Sequence, residues 1–283
     1  MQQEFIETVE NRFYKIEQTF SRFKLDSEVS FFNSIKPKIP YFPSDPFYQM
    51  LDIAKKIEIW SEGIITPRVM ESLELLGYNK SFEKLNKNFN KVEEPSPISL
   101  KEDWIQFNHS MKSITRLNNV AIDLGGFVKG WSVDTTVQQL KQLGLKEGMV
   151  NAGGDLKIWG NNSWTVEIAD PLDESKHIWL IQAKNTAIAT SGIIKRSFGN
   201  SYHHIINPFT GMPANSDIIQ ATVAADSVLK AEILSKIWII LGYEKGLSWM
   251  KEKNIHFPIW IVLKNGEKIE NNRRENKQWQ TVS

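Results

Sequence analysis

Apolar residues recur every three or four positions at Ile6, Val9, Phe13, Ile16, Phe20 and Phe23. That period predicts an amphipathic helix with one face turned to a core. Phe47, Met50, Leu51, Ala54, Ile57 and Trp60 repeat it, with Ser44 or Asp45 ahead of them as a cap. Asp26 to Ser30, between the two, reads as a turn. Thr66-Pro67 reads as a cap followed by proline at the first helical position. That third helix runs through Val69, Met70, Leu73 and Leu76 to Gly77. The polar stretch at about 79–99 is expected to be a surface excursion.

Beyond it the pattern changes. Trp104–Phe107 and Ser113–Leu117 fit the strands of a hairpin, and Trp164–Ile168, Ile178–Gln182, Thr186–Thr190 and Ile218–Ala224 fit further strands. Asp226 is expected to cap a long helix that stops at Gly242. A last helix near Glu244–Lys253, a strand at Pro258–Leu263 and a polar tail at about 270–283 follow. Helices, then strands, then helices predict an α+β fold, read here as one domain over 1–283.

The chemistry concentrates between Ala121 and Gly160. Asp123 ends a hydrophobic run, and Gly125, Gly126, Lys129 and Gly130 follow before a helical stretch that ends near Gly144. A second glycine turn, Asn151-Ala152-Gly153-Gly154-Asp155, interrupts a strand-like run. Glycines at a strand-to-helix turn let backbone N–H groups approach a ligand, and a helix N-terminus suits phosphate. Lys129 adds a full charge there, and Asp123 is placed to accept from a base or ribose or to help hold a metal. Neither turn fits the dinucleotide fingerprint or the P-loop.

Composition narrows the classes. The formal net charge is +1 over 283 residues, so no global field favours nucleic acid or an anionic membrane. With no cysteine, disulfides, thiolate metal sites and a cysteine nucleophile are excluded. No apolar run reaches a membrane span, and the amphipathic first residues have no signal-peptide core, so a cytoplasmic protein is expected.

Other residues offer chemistry or plain packing. His203 and His204 are adjacent, so on a strand only one faces a given site. Thr190-Ser191-Gly192 offers a hydroxyl and a backbone donor to phosphate, or is simply a strand end. Lys195 and Arg196 suit a diphosphate or a solvated surface. Glu232 and Lys236, four apart on a helix, share one face as an ion pair or as a carboxylate ligand beside a built-in cation.

Taken in order, these segments resemble the ApbE family of FAD:protein FMN transferases. The carriers are Asp123-Leu-Gly-Gly-Phe-Val-Lys-Gly-Trp-Ser-Val-Asp134, Val150-Asn-Ala-Gly-Gly-Asp155, Thr190-Ser-Gly192, His204-Ile-Ile-Asn-Pro-Phe-Thr-Gly211 and the Ala231-Glu232 helix. The resemblance covers roughly Ile16 to Gly242. It implies mixed or antiparallel sheets with flanking helices, in two lobes around a flavin-nucleotide cleft. It implies cleavage of the FAD diphosphate with Mg²⁺, AMP release, and transfer of FMN to a Thr or Ser hydroxyl of a partner flavoprotein. It assigns FAD contacts to Asp123, Gly125, Gly126, Lys129, Asn151, Gly153, Gly154, Ser191, Gly192, Thr210 and Gly211. It makes His204 the acid–base group, and Gly126, through its carbonyl, and Glu232 the metal ligands.

The chain departs from the family pattern at named positions. Glu232 and Lys236 stand where the family has Asp and Thr as metal ligands. Asn207 stands for an Asp, and Ile193 for the Asp that follows Ser-Gly. A protonated Lys cannot ligate a metal, but its ammonium can take the ion's place. Two alternatives to the transferase follow: a non-catalytic FAD carrier, and a pyrophosphatase giving FMN and AMP.

Overall fold

The computed structural model describes residues 2–85, 93–199, 202–271 and 279–282. Packing divides the chain into two units, Met1–Val128 with Phe198–Pro213, and Lys129–Ser197 with Ala214–Ser283. Helices and antiparallel sheets make up both, so the fold is α+β.

In the first unit the helices Gln2–Phe20, Glu28–Ser34 and Asp45–Trp60 share an aromatic core. Phe47 stacks on Phe20 at 5.9 Å between centroids and meets Phe32 edge-on at 5.6 Å. The middle helix replaces the turn expected at Asp26–Ser30. Ser27 caps it by accepting from Ser30 N at 3.2 Å, and it buries Val29 and Phe32. Ser44 caps Asp45–Trp60 as expected, accepting from Phe47 N at 3.4 Å.

Thr66-Pro67, by contrast, does not start a helix; the next one is Met70–Leu75 after Val69. A buried carboxylate claims the Thr66 hydroxyl, which donates to Glu58 Oε1 at 2.5 Å. Arg68 Nε and Trp104 Nε1 donate to the same carboxylate at 2.8 and 3.0 Å.

The expected hairpin forms as Ile105–Asn108 and Ser113–Arg116, with Pro40–Tyr41 added at its far edge. Phe198 and Ile206 pack against Leu73, Leu76 and Tyr78, which is why Phe198–Pro213 belongs to this unit. Of the polar excursion, Phe82–Lys84 is a single 3₁₀ turn, and residues 86–92 lie outside the described residues. Its far end is held where Ile98 N donates to Pro208 O at 2.9 Å.

In the second unit a six-stranded antiparallel sheet runs in the order Lys268–Asn271, Ile259–Leu263, Ile218–Ala225, Ala187–Gly192, Asp155–Trp159, Gly148–Ala152. The helix Val228–Leu241 packs on it. Ile168, Ile181 and Ala183, from a three-stranded sheet, join Leu156, Ile158, Ile188, Ala224 and Trp260 in one core. Ile218–Ala225 is buried at every position, Gln220 and Thr222 included, so neither face of the strand is left to solvent.

The long helix is capped by Ser227, which accepts from Lys230 N at 3.2 Å; Asp226, the expected cap, instead pairs with Lys230 Nζ at 2.8 Å. Gly242 ends it at φ 79°. The expected polar tail contributes strands. Lys268–Asn271 pairs with Ile259–Leu263, and Trp279–Val282 with His177–Ala183, while 272–278 and 283 lie outside the described residues. Among the described residues no helix is long and apolar enough to cross a membrane.

Candidate functional site

Gly125 and Gly126 were expected in a turn before a helix; they are the first two residues of the helix Gly125–Gln142 itself. Asp123 closes its N-terminus. Its Oδ1 accepts from Gly125 N at 2.6 Å, and its Oδ2 meets Arg22 Nε at 2.5 Å. The Arg22 side chain is only 4% exposed; it also donates to Tyr78 O and lies over the rings of Phe23 and Tyr78, 4.3 and 5.1 Å from their centroids. Asp123 is therefore held as half of an ion pair. Sequence reasoning found Asp123 and missed Arg22, because nothing local links residues a hundred positions apart.

His203 ends the short strand Tyr202–His203 and is buried, its Nδ1 accepting from Ile205 N at 3.3 Å. His204 follows the strand and is half-buried, so the two imidazoles differ as expected, and His204 is the more accessible. The next turn is self-contained. Asn207 Oδ1 accepts from Phe209 N at 3.0 Å, and Asn207 O accepts from Thr210 N and Gly211 N at 3.1 and 2.9 Å. Thr210 Oγ1 accepts from Met212 N at 3.2 Å. An Asp at 207 would serve as the same acceptor, so Asn207 leaves this turn intact. Gly211 has φ +75°, and a Cβ there would lie 2.3 Å from Ser96 O.

The second unit gathers the remaining charge. Asp155, on the strand Asp155–Trp159, is buried; its Oδ1 accepts from Thr190 N at 3.1 Å and its Oδ2 pairs with Lys129 Nζ at 2.6 Å. Glu232, on the long helix, accepts from Gly130 N at 2.8 Å through Oε2 and from Lys236 Nζ at 2.8 Å through Oε1. Burial pushes the Glu232 carboxyl above its ordinary range, against the pull of Lys236 and Lys129 and with the push of Asp155. These four side chains thus form one electrostatic cluster. Residue type and spacing mark Lys129, Glu232 and Lys236 in the sequence; Asp155 lies at the end of the second glycine motif, and only the fold brings it to Lys129.

The other expected contacts of this unit have local duties. The Ser191 and Ser235 hydroxyls are 2.7 Å apart, tying strand to helix, and Thr190 Oγ1 meets Thr222 Oγ1 at 2.9 Å. Gly192 ends the strand Ala187–Gly192. Gly153 and Gly154 have φ +62° and +98° and form the two-residue turn of a hairpin in which Ala152 faces Asp155. Asn151 Oδ1 accepts from Gly154 N at 2.8 Å. Nothing lies within 4 Å of a Cβ built on either glycine, so the turn opens onto free space.

The donor set does not fit Mg²⁺. Mg²⁺ wants about six oxygens at about 2.0–2.1 Å in octahedral array. Glu232 has both oxygens engaged, one of them by an ammonium. Among the described residues no group of three or more His, Cys, Asp or Glu could hold a metal ion.

Comparison with known proteins extends these observations. The sequence profile of the ApbE family matches residues 2–259. The FAD:protein FMN transferase of Vibrio cholerae serotype O1 is 26% identical over 266 residues, covering 88% of this chain and 76% of its own. That of Haemophilus influenzae is 26% identical over 278 residues, covering 92% and 79%. The crystal structure of the ApbE protein from Thermotoga maritima superposes with a TM-score of 0.81 at 26% identity, over 96% of this chain and 90% of that one.

Proposed function

The chain belongs to the ApbE family, and on that premise we propose that it is a FAD:protein FMN transferase. In this reading a Thr or Ser hydroxyl of an acceptor flavoprotein attacks the FMN phosphorus of FAD. The new phosphoester bond forms as the diphosphate bridge breaks, and AMP leaves with the bridging oxygen. The hydroxyl proton passes to His204, the more exposed of the two imidazoles. Such a transfer depends mostly on positioning and charge neutralisation. Lys129 and Lys236 are the cations for that task, and the open Gly153–Gly154 turn accommodates a ligand without side-chain obstruction. The observation that carries the reading is a single family match that takes in both glycine motifs, Lys129, His204 and Glu232. The reading includes a cytoplasmic setting, which imaging of the tagged chain in cells checks.

The test is incubation of the purified chain with FAD and an acceptor flavoprotein bearing a Thr/Ser flavinylation motif. AMP and acceptor-bound FMN should appear in equal amounts, and both should vanish in His204→Ala. Bound FAD with no AMP, acceptor present, would make the chain a carrier. AMP with free FMN, acceptor absent, would make it a pyrophosphatase.

A further inference from the structure

We propose that Lys236 supplies, from within the chain, the positive charge a bound diphosphate requires, so that FAD is held without a divalent cation. The inference rests on the flavin-transferase reading and starts from a layering of charge in the second unit. The side chains of Glu232 and Asp155 are each 2% exposed, whereas their partners Lys236 and Lys129 are 14% and 35% exposed. The carboxylates lie beneath and the ammoniums above. An ammonium carries three N–H donors and the ion pair needs one of them, so an arriving phosphate oxygen meets donors rather than carboxylates.

Charge balance leads to the same conclusion. Two carboxylates and two ammoniums sum to zero, so the cluster does not repel a diphosphate. Without Lys236 the sum would be negative, and a separate cation would be needed to restore it. With Lys236 in place that cation has nowhere to bind. The ammonium is 2.8 Å from Glu232 Oε1, Gly130 N takes Oε2, and Asp155 is shared between Thr190 N and Lys129. A divalent ion could reach Glu232 only by expelling Lys236 from its pair. This chain's departure from the family pattern at Lys236 is then a substitution of a fixed cation for a bound one.

FAD affinity, read from flavin fluorescence, tests the inference. In the wild-type protein, EDTA and millimolar Mg²⁺ should give affinities within about twofold of each other. Lys236→Met should weaken binding about tenfold or more in EDTA, with Mg²⁺ restoring part of the loss. Lys236→Arg should keep metal-independent binding, and it stands in if the Met variant fails to fold. Two results would overturn the inference: a wild-type affinity that rises about tenfold with Mg²⁺, or a folded Lys236→Met protein that binds as the wild type does in EDTA. A second arm needs no flavin. Mn²⁺ titrated into the wild-type apoprotein and followed by electron paramagnetic resonance should show no site that disappears in Glu232→Gln; such a site would refute the proposal. If the wild type binds no FAD in either condition, the transferase reading fails, and the Mn²⁺ arm still decides whether the cluster excludes a metal.

Discussion

Gly130 is where the helix Gly125–Gln142 meets the helix Val228–Leu241 with no side chain between them. A Cβ there would lie 2.7 Å from both N and Cα of Leu229 and 2.8 Å from Glu232 Oε2. Backbone cannot yield as a side chain does, so Gly130→Ala should cost about 1–3 kcal/mol of overpacking. A lower urea midpoint at unchanged slope is the expected signature, and an unchanged midpoint would mean the helices separate freely. The same substitution should disturb Glu232, whose Oε2 takes the Gly130 N–H.

Asp123 and Arg22 allow a sharper test. Removing one partner of a fully buried pair costs about 3–5 kcal/mol. The Asp123 side chain is 13% exposed and Arg22 keeps Glu74 at 3.9 Å, so the loss here should fall below that range while still leaving the Arg22 charge buried. Asp123→Ala should therefore be more damaging alone than in an Arg22→Met background, a coupling that a double-mutant cycle in urea measures directly. At this scale the sequence showed which residues carry charge and, from the four-residue spacing, the Glu232–Lys236 pair, but not the pairs between distant positions. Asp123, Lys129, Glu232 and Lys236 stood out by type and motif. Arg22, Gly130 and Asp155 acquire their roles from contacts 101, 102 and 26 positions away along the chain, to Asp123, Glu232 and Lys129.

At the scale of elements, the helix Val228–Leu241 shows how one side chain can hold an end. Asp134, on the helix Gly125–Gln142, accepts from Val228 N at 2.9 Å and Leu229 N at 3.0 Å, alongside the Ser227 cap. Asp134→Ala should cost about 1–2 kcal/mol, as losses of helix caps do. Burial raises the Asp134 carboxyl above its ordinary value, although the Leu229 and Val228 amides pull it down. An acid raised in the folded state binds protons more tightly there than in the unfolded chain. Its contribution is then whole below the unfolded value of 3.8 and is lost as pH rises through the folded value. The stability of Asp134→Asn should accordingly fall less than that of wild type as pH climbs from just below that value toward neutrality; parallel urea midpoints across that range would contradict the assignment.

Short strands such as the hairpin Ile105–Asn108 and Ser113–Arg116 are legible from the turns that bound them, and the long helices of the first unit from a repeating period. Gln2–Phe20 and Asp45–Trp60 both show it over several turns. Glu28–Ser34 is too short for a period, and only the Ser27 cap with Val29 and Phe32 beneath it makes a helix there. Thr66-Pro67 carried the local chemistry of a helix start, yet Glu58 recruits the threonine hydroxyl into a buried network.

Across the whole molecule the chain order and the packing order part company. The first unit takes Phe198–Pro213 from far along the sequence, and the first boundary between units falls within the helix Gly125–Gln142. Hydrophobic periodicity could not show this, because it reports which face of an element is buried and not against what. The ordered motifs, from Asp123 to Glu232, were informative for a different reason: each is a local string, and five in sequence specify a fold without any contact being known. The discontinuity has a consequence. A fragment ending at Val128 keeps Leu73, Leu76 and Tyr78 but loses Phe198 and Ile206, which cover them, and loses the Pro208 carbonyl that receives Ile98 N. Tyr78 also loses its stacking partner Phe198, 5.3 Å away. The fragment 1–128 should bind a hydrophobic dye and melt without a cooperative transition. Fusing residues 198–213 to its end through a flexible linker should restore a sharp transition. A fragment 1–128 that melts as sharply on its own would show that the late segment merely rests on a finished core.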